Sequence, residues 1–251
     1  MNRSKREDKI SIEKESFKKL PDPVTVGAII PSAGLGERLQ GNKKKQFRKL
    51  NGKPIVLHVL ERLINSKLLN YISLVLPKKQ LDSVIIPNDS LVDIKLVEGG
   101  IDRKSSVKNG LNALPNEVKW VVVHDGVRPL FTKDLLERCL LEAYHTGASL
   151  AAFAITDTLK LSNESMNTLQ TVSRENIWSA QTPQVVRKEL LERAYTDFKG
   201  DNSEVTDESS LLENIGVKSR IVLSNKMNVK ITTKEDLLLA EFYLRQEKKL
   251  N

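Results

Sequence analysis

The stretch VTVGAIIPSAGLGERLQGNKKKQF, residues 24–47, decides the reading of this chain. Its first eight residues, VTVGAIIP, are almost continuously apolar and rich in Val and Ile, as a strand buried on both faces must be. The loop that follows, Ser32-Ala33-Gly34-Leu35-Gly36-Glu37-Arg38-Leu39, carries two glycines. Glycine lets a backbone turn sharply and aim its amide N–H groups at an anion. A Walker phosphate loop would end in Gly-Lys-Ser/Thr, and this one does not. A dinucleotide fingerprint needs a third glycine, and Leu39 stands in its place. A third reading is a nucleotidyltransferase loop in which Arg38 and a lysine of Lys43-Lys44-Lys45 bracket a triphosphate, and the Lys-Gln-Phe at 45–47 favours it.

Downstream, short apolar runs alternate with helical patterns. Strands are predicted at 71–77, 93–99, 119–125, 148–155, 218–223 and 228–232, after the first at 24–31. Helices are predicted at 54–66, 103–113, 132–145, 187–198 and 233–246. This alternation predicts an α/β fold, a Rossmann-like mixed and mainly parallel sheet with helices on both faces. In such sheets ligands bind beyond the carboxyl ends of the strands, which places the glycine loop at the site. Residues 1–23 mix both charges without periodicity and end in Pro-Asp-Pro, so they read as a flexible tail ahead of one catalytic domain at 24–247.

Composition narrows the partners. The 251 residues are 39% hydrophobic and 29% charged, and no apolar run approaches the roughly 20 residues of a membrane helix. The amino-terminal segment lacks the apolar core of a signal peptide and is too acidic for a transit peptide. One cysteine, Cys139, sits in an apolar helical pattern, so disulfides and cysteine metal sites drop out and a cytoplasmic address follows. The net charge of +8 calls for anionic partners. Aromatics are only 5% and no zinc-finger or RNP pattern occurs, which favours phosphorylated metabolites over nucleic acid.

PSAGLGERL followed by KKQF resembles the signature of the 2-C-methyl-D-erythritol 4-phosphate cytidylyltransferase family. Further similar segments come in the family's order: GGIDRKSSV (99–107), HDGVRP (124–129), DTLK (157–160), SRENIWSAQTPQ (173–184), VTDESSLLE (205–213) and NVKITTKEDLLLAE (228–241). The resemblance implies attack by a phosphate oxygen of a polyol phosphate on the α-phosphorus of CTP, in non-mevalonate isoprenoid synthesis. It implies catalytic cations at Arg38, Lys45 and Lys230, and CTP contacts at Ser32, Ala33, Gly34, Gly36, Gly99, Gly100 and Ser106. Acceptor contacts fall on Asp125, Arg128, Thr158 and Arg174. Magnesium (Mg2+) is implied on the triphosphate, with Asp125 near it. The segment from about 155 to 178 corresponds to an arm that, in the family, swaps across a homodimer to complete the partner's site.

His124 reads as a packed neighbour, because the transfer needs no general base. Asp207 reads as a helix cap. The sequence departs from the family where Ser32 replaces a common alanine and Gly126-Val127 replaces a frequent Ala-Ala pair. Ile101 stands where an acid is common. The alternative within the fold is a ribitol 5-phosphate cytidylyltransferase. More distant alternatives are a nucleotide-dependent dehydrogenase and a non-catalytic nucleic-acid-binding module.

Overall fold

The computed structural model describes residues 24–34, 45–84, 86, 90–200 and 205–250, with side chains at 248–250 excepted. The strands are β1 (Val26–Pro31), β2 (Lys49–Leu50), β3 (Lys53–Pro54), β4 (Tyr71–Leu76), β5 (Asp93–Glu98), β6 (Trp120–Val123), β7 (Ala148–Ala154), β8 (Leu159–Ser162), β9 (Thr168–Val172), β10 (Trp178–Arg187) and β11 (Arg220–Leu223). The α-helices are α1 (Ile55–Ser66), α2 (Arg103–Ala113), α3 (Lys133–Thr146), α4 (Lys188–Asp197), α5 (Glu208–Glu213) and α6 (Lys234–Leu250).

Seven strands form the main sheet in the order β11-β7-β10-β6-β1-β4-β5. All neighbours run parallel except β10, which is antiparallel to both β6 and β7. From β1 the chain builds outward through β4 and β5, then returns to lay β6 on the other side of β1. That reversal leaves a crevice at the carboxyl ends of β1 and β6, where such sheets take ligands.

Both sheet faces are covered, which is why the strand segments read as apolar runs. Ala28 and Ile30 of β1 pack with Val59, Leu60 and Leu63 of α1 and with Leu136, Cys139 and Leu140 of α3. Ile29 faces the other way, with Val107 and Leu111 of α2, Leu191 of α4 and Leu212 of α5. A third cluster, Leu50, Ile55, Val127, Ile231, Ala240 and Leu244, seats α6 beside the crevice. Cys139 is fully buried, as its pattern predicts, and burial pushes its thiol up to about 12. No described helix is long and apolar enough to cross a membrane.

In the main sheet one expected strand is absent and one is unforeseen, and the short pairs β2–β3 and β8–β9 are likewise unforeseen. Residues 228–232 lie outside the sheet. Asn228 bonds Thr182 O and Gln181 Oε1 through its side chain, and Ile231 N donates to Val127 O, so the segment is stitched across strand ends. The seventh sheet strand is β10 instead, whose Gln181-Thr182-Pro183-Gln184 core hides the apolar run. The ladder to β7 shifts register between Ala180 and Gln184, so Pro183 falls where no ladder amide is required.

Between β7 and β10 the chain leaves the sheet as the hairpin β8–β9. From 156 to 177 every residue is exposed except the half-buried Leu159 and Val172. The expected tail, residues 1–23, lies outside the described residues.

Candidate active site

The crevice is an open cleft of about 620 Å³. Ser32, Ala33, Gly34, Lys45, Gly99, Gly100, Ser106, Asp125 and Lys230, expected from sequence at one site, all line it. Gly36 and Arg38 fall outside the described residues.

The base of the glycine loop is fixed on both sides. Ser32 N donates to Val75 O at 2.8 Å, in continuation of the β1–β4 ladder. Gln46, buried in the short 3-10 turn Lys45–Phe47, donates from Nε2 to Ser32 O at 2.6 Å and to Gly34 O at 3.2 Å. The Lys-Gln-Phe run therefore has a mechanical reason. Glutamine ties the turn to the loop, and that holds Lys45 at the cleft wall.

The second wall follows β5. Asp102 caps α2, accepting from Ser105 N at 2.6 Å while Ser105 Oγ accepts from Asp102 N. This capping box fixes the helix N-terminus at the cleft, where its dipole favours negative charge. Ser106 Oγ donates to Asp102 O at 2.7 Å and accepts from Gly100 N at 3.1 Å. The Ser106 hydroxyl, expected among the CTP contacts, thus spends its proton within the turn, and the amides of Gly99 and Gly100 are spent on Leu76 O and Ser106 Oγ, which leaves the two glycine carbonyls as the backbone groups offered there.

The floor is ionic. Asp125, at the end of β6, lies 2.9 Å from Lys230 Nζ, 3.3 Å from Arg128 Nε and 3.5 Å from Arg103 Nε. Burial alone would raise its pKa, but Arg103, Lys230 and Arg128 outweigh that and hold the carboxyl well below the usual carboxylate range. Arg103 in turn grips Glu208 with Nη1 and Nη2 at 2.8 and 2.9 Å. Burial works against the Arg103 charge, and Glu208 with Asp125 more than restores it. Three cations thus face two carboxylates, leaving positive charge beside the opening for an anionic ligand.

Arg128 is not a cleft-lining residue. Buried behind Asp125, it donates from Nη1 to Asn228 O at 2.9 Å, and burial lowers its pKa. Its position is that of a support for Asp125 and for the segment carrying Lys230. His124 is fully buried, its ring tilted against Phe131 at 4.3 Å between centroids and bonded through Nε2 to Arg128 O at 3.0 Å, and burial lowers its pKa to about 4. It packs, as read from sequence. Asp207 caps α5 with its own capping box to Ser210, as expected, and also accepts from Gln184 Nε2 at 2.8 Å. Thr158 and Arg174 sit on the exposed hairpin segment and do not line this chain's cleft. Arg174 Nη1 bonds Thr156 O.

Three functional positions escaped sequence reasoning: Gln46, Arg103 and Glu208. All lay inside quoted motifs, yet nothing in spacing tells that Glu208 reaches Arg103 across 105 positions. No group of three or more His, Cys, Asp or Glu side chains suited to a metal occurs among the described residues. Asp125, surrounded by cations, is a poor ligand for a divalent ion, so the described residues do not build a protein-held magnesium site.

The base of a glycine loop, a lysine beside it and a cationic floor at the sheet's switch point suit phosphate-to-phosphate chemistry on a nucleotide. By class the molecule is an α/β nucleotidyltransferase. The family model described as 2-C-methyl-D-erythritol 4-phosphate cytidylyltransferase matches residues 26–246, and the chain belongs to that family. The protein of that name from Alkaliphilus oremlandii is 36% identical over 224 residues, 86% of this chain and 94% of the relative. That from Syntrophus aciditrophicus is 37% identical over 226 residues, covering 88% and 97%. Among solved structures, the 4-diphosphocytidyl-2C-methyl-D-erythritol synthase of Anaerococcus prevotii superposes with a TM-score of 0.77 at 30% identity, covering 89% of this chain and all of that one. The Francisella tularensis cytidylyltransferase gives 0.75 at 34% identity, covering 87% and 99%.

Proposed function

We propose that this enzyme transfers the cytidylyl group of CTP to 2-C-methyl-D-erythritol 4-phosphate, forming 4-diphosphocytidyl-2-C-methyl-D-erythritol and pyrophosphate. The observation that carries the reading is the cleft itself, where glycine loop, Lys45, Lys230 and Asp125 converge at one strand end. The family relatives carry the choice of substrates, and nothing favours ribitol 5-phosphate.

In the reaction an oxygen of the acceptor phosphate forms a bond to the α-phosphorus of CTP, and the bond to the oxygen bridging the α- and β-phosphorus breaks. Pyrophosphate leaves with that electron pair. The attacking oxygen is already ionised, so the protein's task is alignment and charge stabilisation. The amides of Ala33 and Gly34 at the loop base hold the triphosphate. Lys45 and Lys230 place positive charge where it develops on the reacting phosphates. Asp125 fixes Lys230 and leaves an oxygen near the acceptor's hydroxyls. Magnesium enters as part of the Mg·CTP substrate, where it screens the triphosphate. Arg38 adds a further cation from the loop. The homodimer, in which Thr158 and Arg174 serve the partner's acceptor pocket, and the cytoplasmic address belong to the same proposal.

A pyrophosphate-release assay over a panel of nucleoside triphosphates and polyol phosphates tests it. The expected result is turnover with CTP and methylerythritol phosphate above every other pair. Preference for ribitol phosphate would remove the acceptor assignment and spare the class. Salt-sensitive nucleic-acid binding without CTP turnover would reject the enzyme altogether.

A further inference from the structure

Two glycines flank the base of the glycine loop, and each floors a notch filled by a loop side chain. A Cβ built on Gly126 would lie 1.8 Å from Ser32 Oγ, and one on Gly99 would lie 2.0 Å from Ala33 Cβ. Neither glycine has the positive φ that itself demands glycine. Space, not backbone conformation, bars a side chain at Gly99, and at Gly126 a side chain would have to turn the Ser32 hydroxyl out of its place while meeting Ser32 Cβ and Ile30 Cγ2 at 3.2 Å. Ser32 thus reaches into the loop after β6, and Ala33 reaches into the turn after β5. The loop base is wedged between the Asp125 wall and the Gly99-Gly100 wall.

Ser32 is also anomalous in its chemistry. It is 4% exposed, lines the cleft and leaves Oγ buried without a hydrogen-bond partner among the described residues. A buried hydroxyl without a partner is destabilising. The backbone does not require it, because Ser32 N and O are already held by Val75 O and Gln46 Nε2. Alanine would make both bonds. What serine adds is bulk in the notch of Gly126, one residue from Asp125. Serine at 32 and glycine at 126 are therefore matched in space: the Ser32 hydroxyl occupies the place that a side chain at 126 would take.

We propose that Ser32 and Gly126 are a size-matched positioning pair that sets how far the loop base, residues 32–34, stands from Asp125. Resting on the cytidylyltransferase reading, this separation aligns the α-phosphorus of CTP with the attacking oxygen. A mismatch therefore acts on kcat more than on the binding of either substrate.

A double-mutant cycle tests the pair through steady-state kinetics and melting temperature. Gly126→Ala is expected to lower kcat by about twentyfold or more and to lower the melting temperature, with each KM moving less than about threefold. Ser32→Ala/Gly126→Ala is expected to recover kcat to within about threefold of Ser32→Ala and to regain most of the lost melting temperature. A Gly126→Ala enzyme with near-normal kcat, or a double variant as impaired as Gly126→Ala, overturns the pair. If Gly126→Ala fails to fold, a soluble double variant supports the pair and an insoluble one rejects it. A loss confined to KM leaves the notch structural and rejects the alignment role. Should the unmodified enzyme release no pyrophosphate from CTP, the functional reading fails, while the melting-temperature cycle still decides whether the two positions are matched in size.

Discussion

The wall around Asp125 and the hairpin β8–β9 are built on opposite terms. Around Asp125 every charge has a partner: Arg128 and Glu208 are buried, Arg103 spans both carboxylates, and Lys230 alone of the Asp125 cations is more than a third exposed. On the hairpin, Met166 and Leu169 are 83% and 61% exposed, and Arg174 bonds only to the neighbouring Thr156 backbone among the hydrogen bonds described for it. The first region is a finished surface within a single chain. The second has the character of half a surface, apolar and basic side chains held out on a two-stranded ribbon that is marginal by itself. A transferase site assembled from both would be rigid on the nucleotide side and dependent on assembly on the acceptor side.

The largest effect should come from the finished wall. Lys230→Met keeps the aliphatic stem and removes the charge that faces the cleft. A cation stabilising developing phosphate charge in a partly dry site is worth on the order of a hundredfold in kcat, about 3 kcal/mol. Asp125 would retain Arg103 and Arg128, so the melting temperature should barely move. Steady-state kinetics alongside a thermal scan separates the two outcomes. A nearly normal kcat would reject a catalytic Lys230.

The dryness of the same wall can be read by pH. His124 has a folded pKa of about 4 against 6.5 in the open chain, because burial disfavours the imidazolium. Between those values the unfolded chain takes up a proton that the folded protein refuses. Its contribution is therefore complete above pH 6.5 and is lost as pH falls toward 4. By pH 5 this amounts to about 2 kcal/mol. Asp125 adds nothing to that window, since its depressed pKa matters only below the ordinary carboxylate range. Urea unfolding at pH 7 and pH 5 should show the loss, and His124→Gln should remove the His124 share, leaving the smaller part owed to the half-buried His58, whose imidazolium burial also disfavours. An unchanged pH difference in the variant would mean that water reaches the ring.

How much of this was legible follows the same division. The strand-loop unit at 24–34 could be read because burial on both faces writes itself as a Val/Ile run, and glycines mark the turn. Lys230 could be placed by family likeness, yet its segment was misread as a strand: apolar alternation in NVKIT cannot distinguish sheet pairing from a stretch stitched to strand ends by Asn228. Strand β10 was hidden because glutamines and a proline occupy a sheet interior, where Gln181 and Gln184 serve side-chain bonds to Asn228, Asp207 and Ser209. The pairing of Arg103 with Glu208, and the fit of Ser32 to Gly126, are products of tertiary packing that no local pattern encodes. For the hairpin, composition gave no sign of a partner surface. Only exposure in three dimensions does.

A partial return of activity is the sharpest test of the contrast between the two regions. Suppose Arg174 of one subunit completes the acceptor pocket of the other. Lys45→Met and Arg174→Met homodimers should then both be nearly inactive. In a mixed dimer, the Lys45→Met subunit also receives the altered 174 position, so one site carries both defects. The other site keeps its own Lys45 and receives an intact Arg174. Random equal mixing makes about half of the dimers mixed, each with one good site of two, so roughly a quarter of normal activity should return. If Arg174 serves its own subunit, every site carries one defect and mixing restores nothing. Co-expression with two affinity tags isolates the mixed dimer, in which activity should reach about half of the unmodified enzyme's. Isolated mixed dimers without recovered activity would show the hairpin to be a surface that holds subunits together and contributes no residue to the partner's chemistry, leaving the cleft within one chain as the whole of the site.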